Sequence, residues 1–346
     1  MPKLTEKELK EQIKTENFSN VYMLYGEESY LKEYYVGKLK EKLVDSAFAD
    51  FNFHQHEGKN SSIDDILQDA EMLPMMSEYS LVLVHDYPLD KNQGDLKALK
   101  EFFKDIPPSC VLVFWFDSIE VDTKKSAKWR AIEKEFSSAG CSVNLEKRSE
   151  SELVKLILSS AKKRSCTITS QNAAYIISVV GSDIQTIFSE LEKFCAFAAG
   201  GEITKEIIDD LAIKSLQARV YDLSKFILKG DGDNAYKILE TLFAQKEEPI
   251  SILAVISSTY VDMYRVKCAK AAGENEMNLT EFFTYRGREF LIRNAARDCR
   301  TISIASLRSA LDHLTEADML MKSTSVDGKI LLEETVAKLL MLKRSA

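Results

Sequence analysis

The sequence has few of the features that mark membrane, secreted or disordered proteins. It contains no run of about 18 apolar residues, so we expect no membrane-spanning helix. The stretch up to Asn20 reads as a polar, charged helix without the apolar core of a signal peptide. Glycine and proline are scarce, with 13 and 6 residues among 346, which argues against low-complexity or long disordered tracts. These absences predict a chain that is folded nearly throughout.

The cysteines lack the spacing of disulfide or metal motifs. There are six of them, no two form a CxxC pair, and several lie in apolar stretches such as "SCVLVFWF". We therefore expect reduced, mostly buried thiols and a cytoplasmic protein.

Basic residues are outnumbered by acidic ones. Lys and Arg total 46 against 54 Asp and Glu, which gives a formal net charge of -8 at pH 7. Contact with nucleic acid therefore requires a local basic patch or partner subunits. With 346 residues the chain exceeds the usual size of one hydrophobic core, so we expect two or three domains.

Residues 1–145 alternate short apolar runs with amphipathic helical stretches. Near-continuous apolar strands separated by such helices are typical of a parallel sheet that is covered on both faces. The sequence therefore predicts a doubly wound α/β domain with four helices between five strands. The predicted strands are Val21–Gly26, Asn52–Gly58, Ser80–Tyr87, Cys110–Asp117 and Cys141–Leu145.

The character of the sequence changes after this domain. Residues 146–212 contain helix-length segments with capping serines and threonines but no strand run, and we predict a small helical domain. Residues 213–346 continue with helical periodicity, interrupted at "KGDGD", "EEP" and "AAGENE". The fold class is thus an α/β domain followed by two all-helical domains.

The loop after the first strand lacks the residues of a phosphate-binding loop. A GxxxxGK[ST] motif needs glycines that let backbone N–H groups close on the phosphates, a lysine and a hydroxyl for the magnesium ion. The stretch "YGEESYLKE" offers only Gly26, and Glu27 and Glu28 place negative charge where phosphate would lie. Asp86 is a single acid where a metal-holding pair would be needed, and we interpret it as a strand-end residue. The domain has the architecture of a nucleotide-binding fold without its chemistry.

The histidines give no clear catalytic or metal site. His54 and His56 share one face of a predicted strand, but without a third ligand in register a solvated edge strand is favoured over zinc. His85 and Asp86 are adjacent in a predicted strand, so we expect their side chains to point to opposite faces. No Ser/His/Asp or Cys/His constellation stands out. The sequence predicts no cofactor, no metal and no catalytic residue.

Several stretches together resemble one protein family. The resemblance is to the delta subunit of the bacterial DNA polymerase III clamp loader. The family's middle domain has a glycine, an acid and then "ELEKL", which match Gly181, Asp183 and residues 190–193. Near the C-terminus the family's Asp, Lys and Glu match Asp318, Lys322 and Glu333. The matching stretches are "VYMLYGEESYLKEYYVGKL", "LPMMSEYSLVLV", "VVGSDIQTIFSELEKFCAFAAGGEITKEIIDDL", "ARVYDLSKFILKGDGDNAYKIL" and "LTEADMLMKSTSVDGKILLEETVAKLL".

The resemblance implies two N-terminal domains of AAA+ type, the first without a working ATP site, and a C-terminal helical collar domain. In that family the delta subunit joins a pentameric ring with tau/gamma and delta-prime type subunits. It binds the ring-shaped beta sliding clamp and holds one clamp interface open, while neighbouring subunits hydrolyse ATP and place the clamp on primed DNA. The implied protein is a non-catalytic subunit of a DNA-directed DNA polymerase holoenzyme.

The resemblance also assigns a clamp-binding segment, Leu73, Pro74, Met75 and Met76. The family places a Leu followed by a Phe here, and counting back from the next strand puts those two places on Met75 and Met76. The aromatic residue is missing, but the unbranched thioether of Met suits irregular apolar pockets. Taken alone, two such methionines indicate core packing. Between a helix that ends at Pro74 and a buried strand, they become the predicted binding surface.

One locally basic block is a candidate for DNA contact. It runs from Thr284 to Arg300 and contains Tyr285, Phe290 and five arginines, Arg286, Arg288, Arg293, Arg297 and Arg300, of which the first four are the candidate contacts. Basic residues beside aromatic ones suit a single strand or a primer-template junction. The same spacing fits a packed helix with snorkelling arginines. Some relatives have an aromatic near position 288, where this chain has arginine.

Two other functions are compatible with the sequence. One is an active AAA+ ATPase, and the other is a helical DNA-binding adaptor that is unrelated to replication. Nucleotide binding at the Gly26 loop would favour the first, and failure to bind a sliding clamp would favour the second.

Overall fold

The chain divides into two compact units. The computed structural model describes residues 5–344, and for residues 343 and 344 it describes the backbone. The first unit ends at Lys147, and the second begins at Arg148.

A five-stranded parallel sheet forms the centre of the first unit, as predicted. The strand order is β2-β3-β4-β1-β5. Because helices cover both faces of the sheet, β1 is buried along its whole length. The strands are β1 Val21–Tyr25, β2 Phe53–Glu57, β3 Ser80–His85, β4 Cys110–Trp115 and β5 Cys141–Asn144.

The helices of this unit lie between the strands, and the first precedes the sheet. The predicted N-terminal helix is observed from Glu6, and residues 1–4 of that prediction lie outside the described part. The fourth helix begins at a capping box in which Ser62 and Asp65 bond each other's backbone N–H groups. The helices are α1 Glu6–Thr15, α2 Ser29–Leu43, α3 Ala49–Asn52, α4 Ile63–Glu71, α5 Gln93–Phe102 and α6 Ala127–Ala139, with a 3-10 helix at Ser46–Phe48.

The second unit is helical, as predicted, apart from one isolated bridge between Thr167 and Glu202. The boundary that the sequence predicts at Ala212 lies inside this unit, and a division there stays a prediction. The helices are α7 Glu150–Lys163, α8 Ser170–Val180, α9 Ile184–Ala198, α10 Lys205–Leu211, α11 Leu216–Lys229, α12 Gly232–Ala244, α13 Pro249–Ala271, α14 Leu279–Phe282, α15 Glu289–Asp298, α16 Ile304–Ser323 and α17 Gly328–Arg344, with a 3-10 helix at Glu276–Asn278.

Each unit has its own apolar core. In the first, the sheet packs against residues such as Ile66 of α4 and Phe136 of α6. In the second, the long helix α13 contributes Ile252, Ile256 and Met263 to a core that it shares with the helices around it. Five of the six cysteines are buried and Cys268 is half-buried, in agreement with the prediction. No helix within residues 5–344 is both long enough and apolar enough to cross a bilayer.

Two expectations about the histidines were wrong. β3 ends at His85, and Asp86 turns into the left-handed region with φ 49°, so strand alternation no longer separates them. His85 Nε2 and Asp86 Oδ2 lie 3.3 Å apart, although that nitrogen makes no hydrogen bond within the described part. His54 and His56 do lie on an edge strand, but neither is freely solvated, since both face Asp69 of α4.

Candidate functional site

The segment between α4 and β3 presents a row of apolar side chains to solvent. We call Met72–Met76 the methionine segment. The exposed fraction is 42% for Met72, 81% for Leu73, 50% for Met75 and 78% for Met76, and Pro74 is partly buried. Met75 and Met76 are therefore not core residues. Adjacent exposed apolar side chains on a folded surface are typical of an interaction site.

The sequence explains why the chain leaves the helix here. The residue before a proline is driven from the helical to the extended conformation, and Leu73 precedes Pro74. Helix α4 accordingly ends at Glu71, and Met72 already has an extended backbone. The segment is thus released from α4 into a loop on the surface.

A buried asparagine supports this loop from below. Asn52 is fully buried at the end of α3. Its Nδ2 donates to the Met75 carbonyl at 2.8 Å and to the Ser77 hydroxyl at 2.9 Å, and the Met75 N–H donates to Asn52 Oδ1 at 2.7 Å. Met76 follows with φ 57°, in the left-handed region. The backbone is therefore held at Met75, while the side chains of the segment stay outside.

Sheet topology brings these groups together. β2 pairs in parallel with β3, with Phe53 beside Leu81. Because parallel strands start at the same edge, the residue before β2 meets the residues before β3. Sequence reasoning missed Asn52, which it predicted as the first residue of the strand Asn52–Gly58, whereas the structure places it at the end of α3, directly before β2.

Both flanks of the segment are also anchored. At the end of α4, Asp69 Oδ2 lies 2.8 Å from His56 Nε2 and 3.4 Å from His54 Nδ1, which ties the helix to β2. At the start of β3, the Tyr79 ring packs edge-on against Phe18 with centroids 5.8 Å apart. Glu71 and Glu78 are exposed on either side. The site is an apolar strip between two carboxylates.

The loop at Gly26 is closed by the chain's own groups. The Glu28 N–H donates to the Leu145 carbonyl at 3.0 Å. The Lys32 ammonium, on a side chain that is only 2% exposed, lies 2.8 Å from the Gly26 carbonyl and 2.9 Å from Asp117 Oδ1. The Ser29 hydroxyl holds the pKa of Asp117 below its ordinary value, burial opposes this shift and Lys32 adds to it. These groups are bonded to each other.

The Asp86 carboxylate is likewise bonded to backbone groups of the chain. Its carboxylate accepts from the N–H groups of Asp117, Ser118 and Ile119 at 2.7, 2.9 and 3.3 Å. Burial raises the pKa of Asp86, but these bonds outweigh it and leave the pKa below its ordinary value. Within the described residues, no three His, Cys, Asp or Glu side chains are arranged to hold a metal ion.

The four candidate arginines of the basic block are engaged in contacts inside the second unit. Arg293 binds Glu150 at 2.5 and 2.7 Å, Arg286 lies 3.7 Å from Glu152, and Arg297 lies 3.0 Å from Asp298. Arg288 donates to the Thr284 carbonyl at 2.9 Å. Of the interleaved aromatics, Tyr285 is buried and donates to Asp262. The block is therefore not an array of unpaired cations, and its DNA contact stays a prediction.

Comparison with protein families gives matches along most of the chain. The family model "DNA polymerase III, delta subunit" matches residues 22–146, and "DNA polymerase III delta subunit, C-terminal domain" matches residues 217–339. A model described as a middle domain matches residues 149–210. The two delta-subunit models together cover more than half of the sequence.

Individual relatives agree with these matches. The chain is 26% identical to DNA polymerase III subunit delta of Bacillus subtilis over 328 residues, which is 92% of each protein. It is 20% identical to the probable DNA polymerase III subunit delta of Aquifex aeolicus, covering 83% of this chain and 84% of the relative. The solved structure of the Bacillus subtilis DNA clamp loader delta protein matches with a TM-score of 0.63 at 24% identity, over 97% of this chain and 99% of that one, and confirms the fold. The resemblance found in the sequence is thus confirmed, and the chain belongs to the delta subunit family of DNA polymerase III.

Proposed function

We propose that this protein binds the beta sliding clamp through its methionine segment and opens the clamp for loading on primed DNA. The observation that carries the proposal is the exposure of Leu73, Met75 and Met76 on a loop whose backbone is held at Met75. An apolar anchor surrounded by polar groups is how compact interfaces gain most of their energy. Family membership supplies the partner.

The size of the anchor fits a functional contact. Burying both methionine side chains contributes on the order of 3 to 5 kcal/mol before ordering costs. A loop that is already fixed loses little further entropy on binding, so more of this energy remains as affinity. The carboxylates of Glu71 and Glu78 favour a clamp pocket with a neutral or basic rim.

The missing aromatic does not remove the anchor. Met76 is 78% exposed at the place where the family has Phe. Its flexible thioether chain can follow the walls of an irregular pocket. We propose that Met75 and Met76 together fill the pocket that other delta subunits fill with Leu and Phe.

ATP hydrolysis is not part of the proposed function. The Glu28 N–H is bonded to Leu145, and Lys32 is bonded to Gly26 and Asp117. A nucleotide would have to displace these contacts and face the charge of Glu27 and Glu28. This arrangement supports a subunit that relies on its neighbours for ATP hydrolysis.

We also propose that residues 213–346 join the pentameric ring with tau/gamma and delta-prime type subunits. Three exposed apolar residues support this role. They are Ile250 at the start of α13, and Val326 and Ile330 at the turn into α17. The elements adjoin, because a Cβ at Gly328 would lie 3.3 Å from Pro249 Cβ. Primed DNA is proposed to contact Arg286, Arg288, Arg293 and Arg297, with phosphate replacing the carboxylates and the carbonyl that those arginines now bind.

The test is binding of the full chain to the purified sliding clamp. Replacing both methionines, Met75→Ala with Met76→Ala, removes the anchor. We expect a loss of about 2 kcal/mol or more, which is roughly thirtyfold in Kd. Titration by surface plasmon resonance or fluorescence anisotropy measures it.

The matched control replaces two exposed methionines of the second unit, Met319→Ala with Met341→Ala. These side chains are 64% and 65% exposed, so the change in surface is comparable. We expect the control to keep the clamp affinity of the unchanged protein. Full affinity in the Met75→Ala, Met76→Ala variant would show that the site is wrongly assigned.

A further inference from the structure

We propose that Asn52 is a positioning residue, whose carboxamide holds the turn at Met75–Ser77 in the conformation that binds the clamp. This inference rests on the proposed function of the methionine segment. It adds a residue that lies outside that segment in sequence and is buried beneath it.

The Asn52 side chain is directed into the turn. The residue is fully buried, and both ends of its carboxamide point into the turn. A buried amide is costly unless its donors and acceptor are paired, so this position needs partners. The partners it has are the N–H and the carbonyl of Met75 and the hydroxyl of Ser77. Within residues 5–344, the hydrogen bonds of the Asn52 carboxamide all go to this turn.

Asn52 holds main-chain groups of the turn. Because both the N–H and the carbonyl of Met75 bond to Asn52, the two peptide groups on either side of the Met75 Cα are held, while the side chain remains 50% exposed. Asn52 thus sets where the side chains point without occupying the surface that a partner would touch.

The backbone of Met76 needs such support. Its φ of 57° lies in the left-handed region, which non-glycine residues adopt at a cost. Such a conformation persists only when the surroundings hold it. The bonds from Asn52 to the residues on either side of Met76 supply that constraint. Without them, Met76 is expected to relax toward other backbone conformations.

Loss of the bonds from Asn52 should raise the apparent Kd for the clamp. When only a fraction of molecules has the competent loop, the apparent Kd rises in inverse proportion to that fraction. If Asn52→Ala leaves about one molecule in ten competent, binding weakens about tenfold. Since the bound contacts are unchanged, the loss lies in the association rate. Loss of a contacting side chain acts mainly on dissociation instead.

The experiment measures both rate constants for the full chain on the immobilised sliding clamp. For Asn52→Ala we expect an association rate about tenfold lower with the dissociation rate nearly unchanged. For Met75→Ala with Met76→Ala we expect faster dissociation. Hydrogen exchange of the unbound protein is the second readout, and the Met75 amide should exchange faster in Asn52→Ala.

Two further variants separate positioning from general stability. Ile132→Val trims a buried side chain in the core of the same unit, so it lowers stability without touching the turn. It should bind the clamp at the rate of the unchanged protein. Ser77→Ala removes only one of the bonds to Asn52, so it gives a smaller effect of the same kind if Asn52→Ala fails to fold.

The outcomes are distinguishable. An unchanged association rate in Asn52→Ala, or a rise in dissociation as large as in the methionine variant, overturns the positioning role while the proposed function stands. A slowed association in Ile132→Val equal to that in Asn52→Ala overturns it too, because stability then explains the effect. If the unchanged protein does not bind the clamp, the proposed function fails, and this role fails with it.

Discussion

Gly26 lies at the turn from β1 to α2 with φ +121°, a conformation that other residues adopt only with strain. A Cβ at this position would lie 2.4 Å from the Leu145 carbonyl oxygen. The glycine therefore allows the end of β5 to approach the loop closely. It matches one glycine of a phosphate-binding loop, but the group that comes close to it is this chain's own backbone.

This geometry predicts the effect of Gly26→Ala. Strain at a positive φ and a clash with backbone should lower the free energy of unfolding of the first unit by about 2 kcal/mol or more. Urea denaturation measures the change. The control is Gly37→Ala in α2, where a Cβ meets nothing within 4 Å.

An alanine at position 37 should raise stability by about 0.5 to 1 kcal/mol, because glycine is costly inside a helix. Equal effects of Gly26→Ala and Gly37→Ala would contradict the close approach of Leu145.

At the scale of elements, the strands and most helices were predictable, since their patterns are local. β1, β3 and β4 are apolar runs because both faces are buried, and α4 has its capping box in the sequence. The candidate segment could be named from Pro74 and from family resemblance, and its binding role stays a prediction. The support that Asn52 gives to this segment was not predictable. The bond from Asn52 to Met75 joins residues 23 positions apart and depends on the pairing of β2 with β3. The pairing of Arg293 with Glu150 likewise spans two helices.

The turn after β4 gives a pH prediction. Asp86 accepts from three backbone N–H groups there, and its pKa is below the ordinary value. A lowered folded-state pKa means that the carboxylate stabilises the fold above its unfolded pKa, about 3.9, and that this stability is lost as pH falls through the folded pKa. Asp86→Asn should therefore lower the free energy of unfolding at neutral pH. It should also make that free energy fall less steeply as the pH is lowered into the acid range.

Urea denaturation from about pH 7 down to about pH 3 measures this difference. Asp117 and His85 face the same carboxylate, so a His85→Gln variant is the control for loss of a neighbouring polar side chain. If the unfolding free energy of the Asp86→Asn protein falls with decreasing pH as steeply as that of the unchanged protein, the role assigned to Asp86 is contradicted.

At the scale of the whole molecule, the proposed roles fall in different units. The methionine segment and Asn52 belong to the unit that ends at Lys147, and the basic block and the exposed group at Ile330 belong to the unit that begins at Arg148. Residues 145–149 between β5 and α7 are without regular structure, and Lys147 is exposed. Since each unit also has its own core, clamp binding is expected to need only the first unit.

Separate expression of residues 1–147 and 148–346 tests this expectation. Both fragments should unfold cooperatively on heating, as followed by circular dichroism, because each retains its core. The first should bind the sliding clamp within about threefold of the full chain, a difference under 1 kcal/mol, and the second should not bind it. The first fragment carrying Met75→Ala with Met76→Ala is the control for specific binding. A folded first fragment that fails to bind would show that the clamp also requires residues beyond Lys147, and the binding surface would then have to include part of the helical unit.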